Sequence, residues 1–101
     1  MYLQPFNLEN SIEFNSQSFQ KHVILEEEEQ KLLLISLEKD QIMPEHFSPV
    51  DAGIYVLKGE IIFVIENKEH KVKKGEMFII PAKTPHKVIG KHNSKFTVTR
   101  I

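Results

Sequence analysis

The sequence predicts an all-β protein, a barrel or sandwich of antiparallel strands. Between Ile54 and Val88, short runs of β-branched and aromatic residues alternate with breaks that contain Gly, Asn or Pro. Such runs are typical of strands, and a break about every eight residues is typical of a barrel or sandwich. The rest of the chain shows no sizeable helical pattern, no internal repeat and no linker, so we expect roughly eight to ten strands in all.

The composition limits the class of protein. With 101 residues, 41% of them apolar, the chain fits one globular domain, residues 1–101. A net charge of −1 gives no basic surplus for nucleic acid or an anionic membrane surface. No apolar run approaches the ~20 residues of a membrane span, and the N-terminus lacks the features of a signal peptide. The absence of cysteine excludes disulfides and thiolate metal sites, and we expect a reducing cytoplasm.

The first 15 residues have little periodicity. Asn7 is a candidate cap for one short helical turn. Ile12 and Phe14 alternate with polar residues, which predicts the start of a strand.

Two apolar segments flank a run of acids. Phe19–Leu25 and Lys31–Lys39 are predicted as strands, and the four consecutive acids Glu26–Glu29 as a solvated turn, because like charges repel. A site for a hard cation is the alternative for the acids, but the run by itself makes no ligands converge. A helix through Glu26–Glu38 is also compatible with the composition. The strand hairpin is favoured because Pro44 follows soon afterwards and no capping residue closes such a helix.

The segment Met43–Ala52 contains Pro44 and Pro49 and little regular pattern. Prolines favour extended, partly unpaired backbone, so we expect this segment along one edge or the mouth of the barrel. The remaining predicted strands are Ile54–Leu57, Ile61–Ile65, His70–Lys73, Met77–Ile80, His86–Ile89 and Phe96–Ile101.

Some strands are apolar on both faces. Ile54 and Val56 share one face, and Tyr55 and Leu57 share the other. One face fills the barrel, and the other needs cover from a second layer, the N-terminal strands or a partner chain. A homodimer is the simplest prediction, since a two-fold interface buries the same patch twice.

Two of the five histidines are candidates for chemistry. His22, His70 and His92 lie in or beside polar segments and are predicted at the surface. His46 and His86 each follow a break that contains proline, at positions that could point into the wider end of a small barrel. Two imidazoles that meet there would begin a transition-metal site.

Two stretches resemble the sequence motifs of the cupin superfamily, G-x5-H-x-H-x3-4-E-x6-G and G-x5-P-x-G-x2-H-x3-N. The first aligns with Asp40, His46, Ser48, Ala52 and Gly59, and the second with Gly75, Pro81, Lys83, His86 and Gly90. The resemblance covers residues 32–101 and is greatest to the smallest single-domain members. It implies a cupin-type double-stranded β-helix, or jelly-roll barrel. For residues 1–31, which lie outside the resemblance, we expect N-terminal strands that form a dimerisation segment.

The resemblance also implies that two of the four metal ligands of the cupin motifs are missing. In metal-binding cupins the ligands are the two histidines and the glutamate of the first motif and the histidine of the second. Only His46 and His86 are kept, while Ser48 and Ala52 occupy the other two positions. Asp51 is displaced by one residue, which in a regular strand turns it to the opposite face. A divalent transition metal (zinc, nickel or iron) would therefore bind weakly, unless Asp51, Glu45 or Glu60 turned in to complete a triad.

Three functions are compatible with these residues. The first is a binding module for a small molecule in an apolar barrel mouth, with Ser48, Tyr55, Phe63 and Phe78 lining the pocket. The second is a metal-dependent isomerase or dioxygenase that uses His46 and His86. The third is a regulatory or structural dimer with a vestigial pocket. The missing ligands and the lack of a general acid–base pair favour the first.

Overall fold

The computed structural model describes residues 3–28 and 30–101. That part of the chain forms one 3-10 helix, Glu9–Ser11, and nine strands. The strands are β1 Gln20–Glu27, β2 Gln30–Leu37, β3 Ile42–His46, β4 Ala52–Lys58, β5 Glu60–Ile65, β6 Lys68–Lys73, β7 Met77–Ile80, β8 His86–Gly90 and β9 Ser94–Arg100. No helix in the described ranges is both long enough and apolar enough to traverse a lipid bilayer.

The strands form two sheets that face each other. One has five strands in the order β1-β2-β9-β4-β7, and the other has four in the order β3-β8-β5-β6. Neighbouring strands are antiparallel throughout, which confirms the predicted all-β jelly-roll barrel. Alternate residues of each strand point inward. The inward side chains make one continuous core, which includes Leu33, Ile35, Ile54, Val56, Ile61, Phe63, Val88, Phe96 and Val98.

The N-terminal segment differs in part from the prediction. Asn7 does begin the short helix, since its Oδ1 accepts a hydrogen bond of 3.0 Å from the backbone N–H of Asn10. The expected strand at Ile12 is wrong, because this segment crosses the outer face of the five-stranded sheet instead of joining a ladder. Ser36 Oγ on β2 donates to the carbonyl oxygen of Glu13 at 2.8 Å, and Ile12 is buried. The segment thereby covers part of the second apolar face.

The hairpin between β1 and β2 is as expected, but Glu26 and Glu27 belong to strand β1 and not to the predicted turn. β1 continues to Glu27, Glu28 has a φ of 55°, and β2 resumes at Gln30. Glu26 lies opposite Lys31 in the ladder and forms an ion pair with it at 3.0 Å. Glu29 lies outside the described residues.

The proline-bearing segment begins with an extended edge strand. Residues 42–46 form β3, which pairs with β8 at the edge of the four-stranded sheet. The register shifts between Met43 and His46. Pro44 is tolerated there because an edge strand with a bulge does not need every backbone N–H. After the shift, His46 lies directly opposite His86. The extended backbone and the edge location are as predicted, and residues 47–51 form no strand.

Candidate functional site

A cavity of about 320 Å³ lies inside the barrel, between the two sheets. Its volume is at the lower end of the range typical for small-molecule sites. Most of its wall is apolar and comes from inward-facing residues of both sheets. The polar or charged residues on the wall are Lys21, Glu45, His46, Ser48, His86 and Arg100. A shallower groove of about 500 Å³ at the far end of β1 and β2 shares only Arg100 with this cavity among the described residues.

The two candidate histidines meet in the cavity wall. Their ring centroids are 4.4 Å apart, with 60° between the ring planes. Nδ1 of His46 lies 2.8 Å from the carbonyl oxygen of Pro44, and Nδ1 of His86 lies 2.9 Å from that of Thr84. A carbonyl oxygen only accepts hydrogen bonds, so each Nδ1 carries the proton. In the neutral rings each Nε2 then keeps its lone pair, the arrangement of a metal-ligating histidine oriented by a backbone carbonyl.

The electrostatics favour the neutral form of His86. Burial lowers its pKa below the ordinary value of 6.5, and the charges of His46 and Arg100 act in the same direction. The hydrogen bond to Thr84 and the carboxylate of Glu45 oppose the shift without reversing it. His86 is therefore a neutral imidazole at neutral pH, able to accept a hydrogen bond or ligate a cation through Nε2.

This shift predicts a pH dependence of stability. The unfolded chain binds the His86 proton below 6.5, whereas the folded chain binds it only at lower pH. Between these two values the unfolded state holds more protons, so this contribution to stability falls as pH falls, by at most about 1.4 kcal/mol per pH unit. Urea unfolding from pH 5 to 8 should show a shallower acid slope for His86→Gln than for wild type. His92→Gln, in an exposed loop, is the control, and an NMR titration that gives His86 a pKa above 6.5 would contradict the assignment.

All four motif positions for metal ligands line the same cavity. They are occupied by His46, Ser48, Ala52 and His86. The Ser48 hydroxyl accepts a hydrogen bond of 3.2 Å from the backbone N–H of Val50, and it is buried. The four positions therefore still surround one cavity, but two of them carry a serine hydroxyl and an alanine methyl group in place of metal ligands.

The residues present do not fit a metal centre with three or more protein ligands. Within residues 3–28 and 30–101, no group of three His, Cys, Asp or Glu side chains converges. Asp51 Oδ1 accepts a hydrogen bond of 2.8 Å from the backbone N–H of Ala82, and Glu60 pairs with Lys91 at 3.6 Å. Glu45 is on the cavity wall but is exposed and does not complete a group with the two histidines. The triad that would require one of these carboxylates is therefore not formed.

The structure separates the four expected pocket residues into two pairs. Ser48 and Phe63 lie on the cavity wall, whereas Tyr55 and Phe78 do not. The Phe63 ring centroid is 5.9 Å from that of His86 and 5.1 Å from that of Phe78, so Phe78 is one ring removed from the histidine. Tyr55 is on the outer face of β4 and is partly exposed. Its neighbours Ile54 and Val56 point inward, and successive side chains of a strand point to opposite faces.

The other histidines lie apart from this cavity. His22 is exposed and its Nδ1 contacts the carbonyl oxygen of Ser11 at 3.1 Å. His92 is exposed in the loop before β9. His70 differs from the expectation of a solvated residue, because it is half-buried with its ring centroid 5.4 Å from that of Phe78.

Arg100 is a wall residue that the sequence reasoning missed. It lies opposite Ala52 on one side and Lys31 on the other, at the end of β9. The sequence does contain a signal for this position. Phe96 and Val98 point inward, and the same alternation along β9 predicts that residue 100 points inward too. Arg100 is also the only arginine in the sequence.

Comparison with known proteins supports the same fold. The pattern of a Cupin domain matches residues 33–99. An uncharacterized protein of Methanocaldococcus jannaschii is 44% identical over 34 residues, which cover 34% of this chain and 27% of that protein. A structure from Streptococcus pyogenes, described as a conserved protein of unknown function, superposes with a TM-score of 0.91 at 19% identity, covering 100% of this chain and 89% of that one. An RmlC-like cupin protein from Desulfovibrio desulfuricans has a TM-score of 0.85 at 27% identity, covering 97% and 95%.

Proposed function

This chain belongs to the cupin domain family, and from that premise we propose that it is a binding module for a small molecule held in the barrel cavity. The observation that carries the proposal is the pair of imidazoles, with ring centroids 4.4 Å apart, in the wall of a mostly apolar cavity of about 320 Å³. An apolar concave site with a few oriented polar groups is the usual form of a small-molecule site. Both imidazoles are held by backbone carbonyls, so their Nε2 atoms are oriented before any ligand arrives.

The proposal is tested by following the amide and ring signals of the protein in NMR titrations with two neutral probes, benzamide and phenol. We expect saturable shifts at His46, His86 and Phe63, and none at Tyr55 on the outer face. Ala52→Leu places a larger side chain on the cavity wall and should abolish these shifts.

The matched control is Gly53→Ala, the next residue along β4. A methyl group there would meet only Met77 Sδ at 3.7 Å, an ordinary contact. We expect this variant to bind the probes like wild type. Shifts confined to the outer face, or binding that survives Ala52→Leu in a folded protein, would refute the proposal.

A second candidate function is weak binding of a divalent transition metal by His46 and His86. It is favoured by the two oriented Nε2 atoms, which can begin a site but not complete one. A full four-ligand zinc site provides roughly 10–16 kcal/mol of apparent binding free energy, so two ligands suggest about half of that. Water or donor atoms of the small molecule would fill the other positions. Because no third protein ligand is in place, a binding role is preferred over a metal-dependent isomerase or dioxygenase.

We further propose that the protein is a cytoplasmic homodimer, as predicted from the sequence. The support for the dimer is a set of exposed apolar side chains on the outer face of the five-stranded sheet, including Met77 and Ile79. Met77 lies opposite Tyr55 in the ladder, so these residues share one face. Light scattering that gives the mass of one chain would refute the dimer.

The cytoplasmic location is supported by the absence of cysteine from the sequence, which is typical of proteins in a reducing compartment.

A further inference from the structure

We propose that the small molecule is a carboxylate and that Arg100 binds its carboxyl group. This inference rests on the proposed binding function and names the class of ligand for the same cavity. It is carried by the position of Arg100, by the lack of a hydrogen-bond partner for its Nε among the described residues, and by the charges on the cavity wall.

Arg100 reaches the cavity from the end of β9. It is opposite Ala52, one of the four motif positions, and it lines the same cavity as His86, which belongs to the facing sheet. Its charge acts on His86, which places the guanidinium and the imidazole in one electrostatic environment. A ligand between them would contact a cation at one end and a neutral nitrogen base at the other.

The guanidinium is incompletely satisfied by the protein. Arg100 Nε is buried and has no hydrogen-bond partner among the residues that the structure describes. The ion pairs in the same ranges are Lys31–Glu26 and Lys91–Glu60, and neither involves Arg100. A buried donor without a partner is costly, and a rotation of the Arg100 side chain that presents this edge of the guanidinium to an acceptor in the cavity would remove that cost.

The charges on the wall indicate the charge of that acceptor. Arg100 and Lys21 are cationic and Glu45 is anionic, which leaves an excess of one positive charge. A carboxylate carries one negative charge and can take two parallel hydrogen bonds from a guanidinium. A phosphate group carries nearly two charges, and burying it in this mostly apolar cavity would leave one of them without a counter-charge.

The use of arginine rather than lysine at position 100 also favours a carboxylate ligand. Lysine and arginine together number 13, and Arg100 is the single arginine. Lysine provides positive charge everywhere else in the chain. The planar fork of arginine is needed where a carboxylate is bound in a defined orientation, which a flexible ammonium does not provide.

The test compares two probes of the same shape, benzoate and benzamide, by NMR titration at constant ionic strength. We expect benzoate to bind wild type at least tenfold more tightly than benzamide. Arg100→Met should reduce benzoate to the level of benzamide and leave benzamide unchanged. Arg100→Lys should give an intermediate affinity, because it keeps the charge and loses the fork.

Lys71→Gln is the matched control, since Lys71 is an exposed cation of β6 that lies outside the cavity. It should leave both affinities unchanged. Thermal unfolding is measured in parallel, and Arg100→Met should not lower the melting temperature, because a buried unpaired donor is removed. A lower melting temperature with unchanged benzoate binding would assign Arg100 a structural role and overturn the inference.

The remaining outcomes separate this inference from the binding function. If benzoate and benzamide bind equally and Ala52→Leu blocks both, the cavity binds small molecules but has no preference for carboxylates. If inorganic phosphate competes better than benzoate, the ligand class is wrong. If neither organic probe shifts the cavity signals, both proposals fall.

Discussion

Replacing Gly59 with alanine should lower the free energy of unfolding by roughly 2–5 kcal/mol. Gly59 joins β4 to β5 with a φ of 81°, a conformation that costs an L-residue about 1–2 kcal/mol. An added Cβ would also lie against Ser94 Oγ and 2.5 Å from the carbonyl oxygen of Asn93. The Asn93 carbonyl is backbone and cannot swing aside, so overpacking adds about 1–3 kcal/mol.

The damage should extend to the hydrogen bonds of Ser94. Its hydroxyl accepts from the backbone N–H of Glu60 at 2.9 Å and lies within hydrogen-bonding distance of two backbone carbonyl oxygens. A shift of this side chain would weaken the start of both β5 and β9.

Alanine substitutions at two other glycines separate the conformational cost of the positive φ from the steric cost of the added Cβ. Gly75 has a φ of 86° but nothing within 4 Å of an added Cβ, so Gly75→Ala should cost only the conformational term of about 1–2 kcal/mol. Gly53 has no positive φ and only an ordinary contact at 3.7 Å, so Gly53→Ala should be nearly neutral. Urea unfolding of the three variants measures the series. Equal losses for Gly59→Ala and Gly75→Ala would show that the contact with Ser94 and Asn93 carries no weight.

The second large effect is a gain of metal affinity. The double variant Ser48→His, Ala52→Glu supplies the two ligands that the motif lacks, at positions that line the same cavity as His46 and His86. If each pair of ligands provides about half of the roughly 10–16 kcal/mol of a full site, the affinity for zinc or nickel should rise by at least ~10³-fold. Isothermal titration calorimetry of wild type and variant, with competing chelators for the tight form, measures the change.

Two further variants test whether the gain in metal affinity depends on the position of the added carboxylate and on His86. Thr99→Glu adds a carboxylate at an exposed position outside this cavity and should leave metal affinity unchanged. Adding His86→Ala to the double variant should remove most of the gain. An affinity gain of less than tenfold in a folded double variant would mean that the four positions do not converge as the cavity geometry indicates.

The sequence was sufficient for most of the barrel because its determinants are local. The alternation of apolar residues, the turns at Gly59 and Gly75, and the acidic turn after β1 each depend on a few neighbouring residues. Where the local pattern is weak, it is insufficient: the strand predicted at Ile12 is not formed, and the pattern of Met43–Ala52 predicts an edge location but not the strand with which it pairs. In both places the outcome depends on which distant segment the chain meets, the outer face of β2 or the edge of β8.

The sequence by itself determined that this protein is an all-β barrel of the cupin type, that His46 and His86 are its two polar candidates, and that half of the expected metal ligands are absent. Only the tertiary structure decided which residues share the cavity. The bulge in β3 places His46 opposite His86, and the register of β9 brings Arg100 to Ala52, about 50 residues earlier in the chain. It also turns Asp51 to the backbone of Ala82 and Tyr55 to the outer face. Strand register between distant segments is fixed by packing of the whole core, so no local pattern in the sequence specifies it.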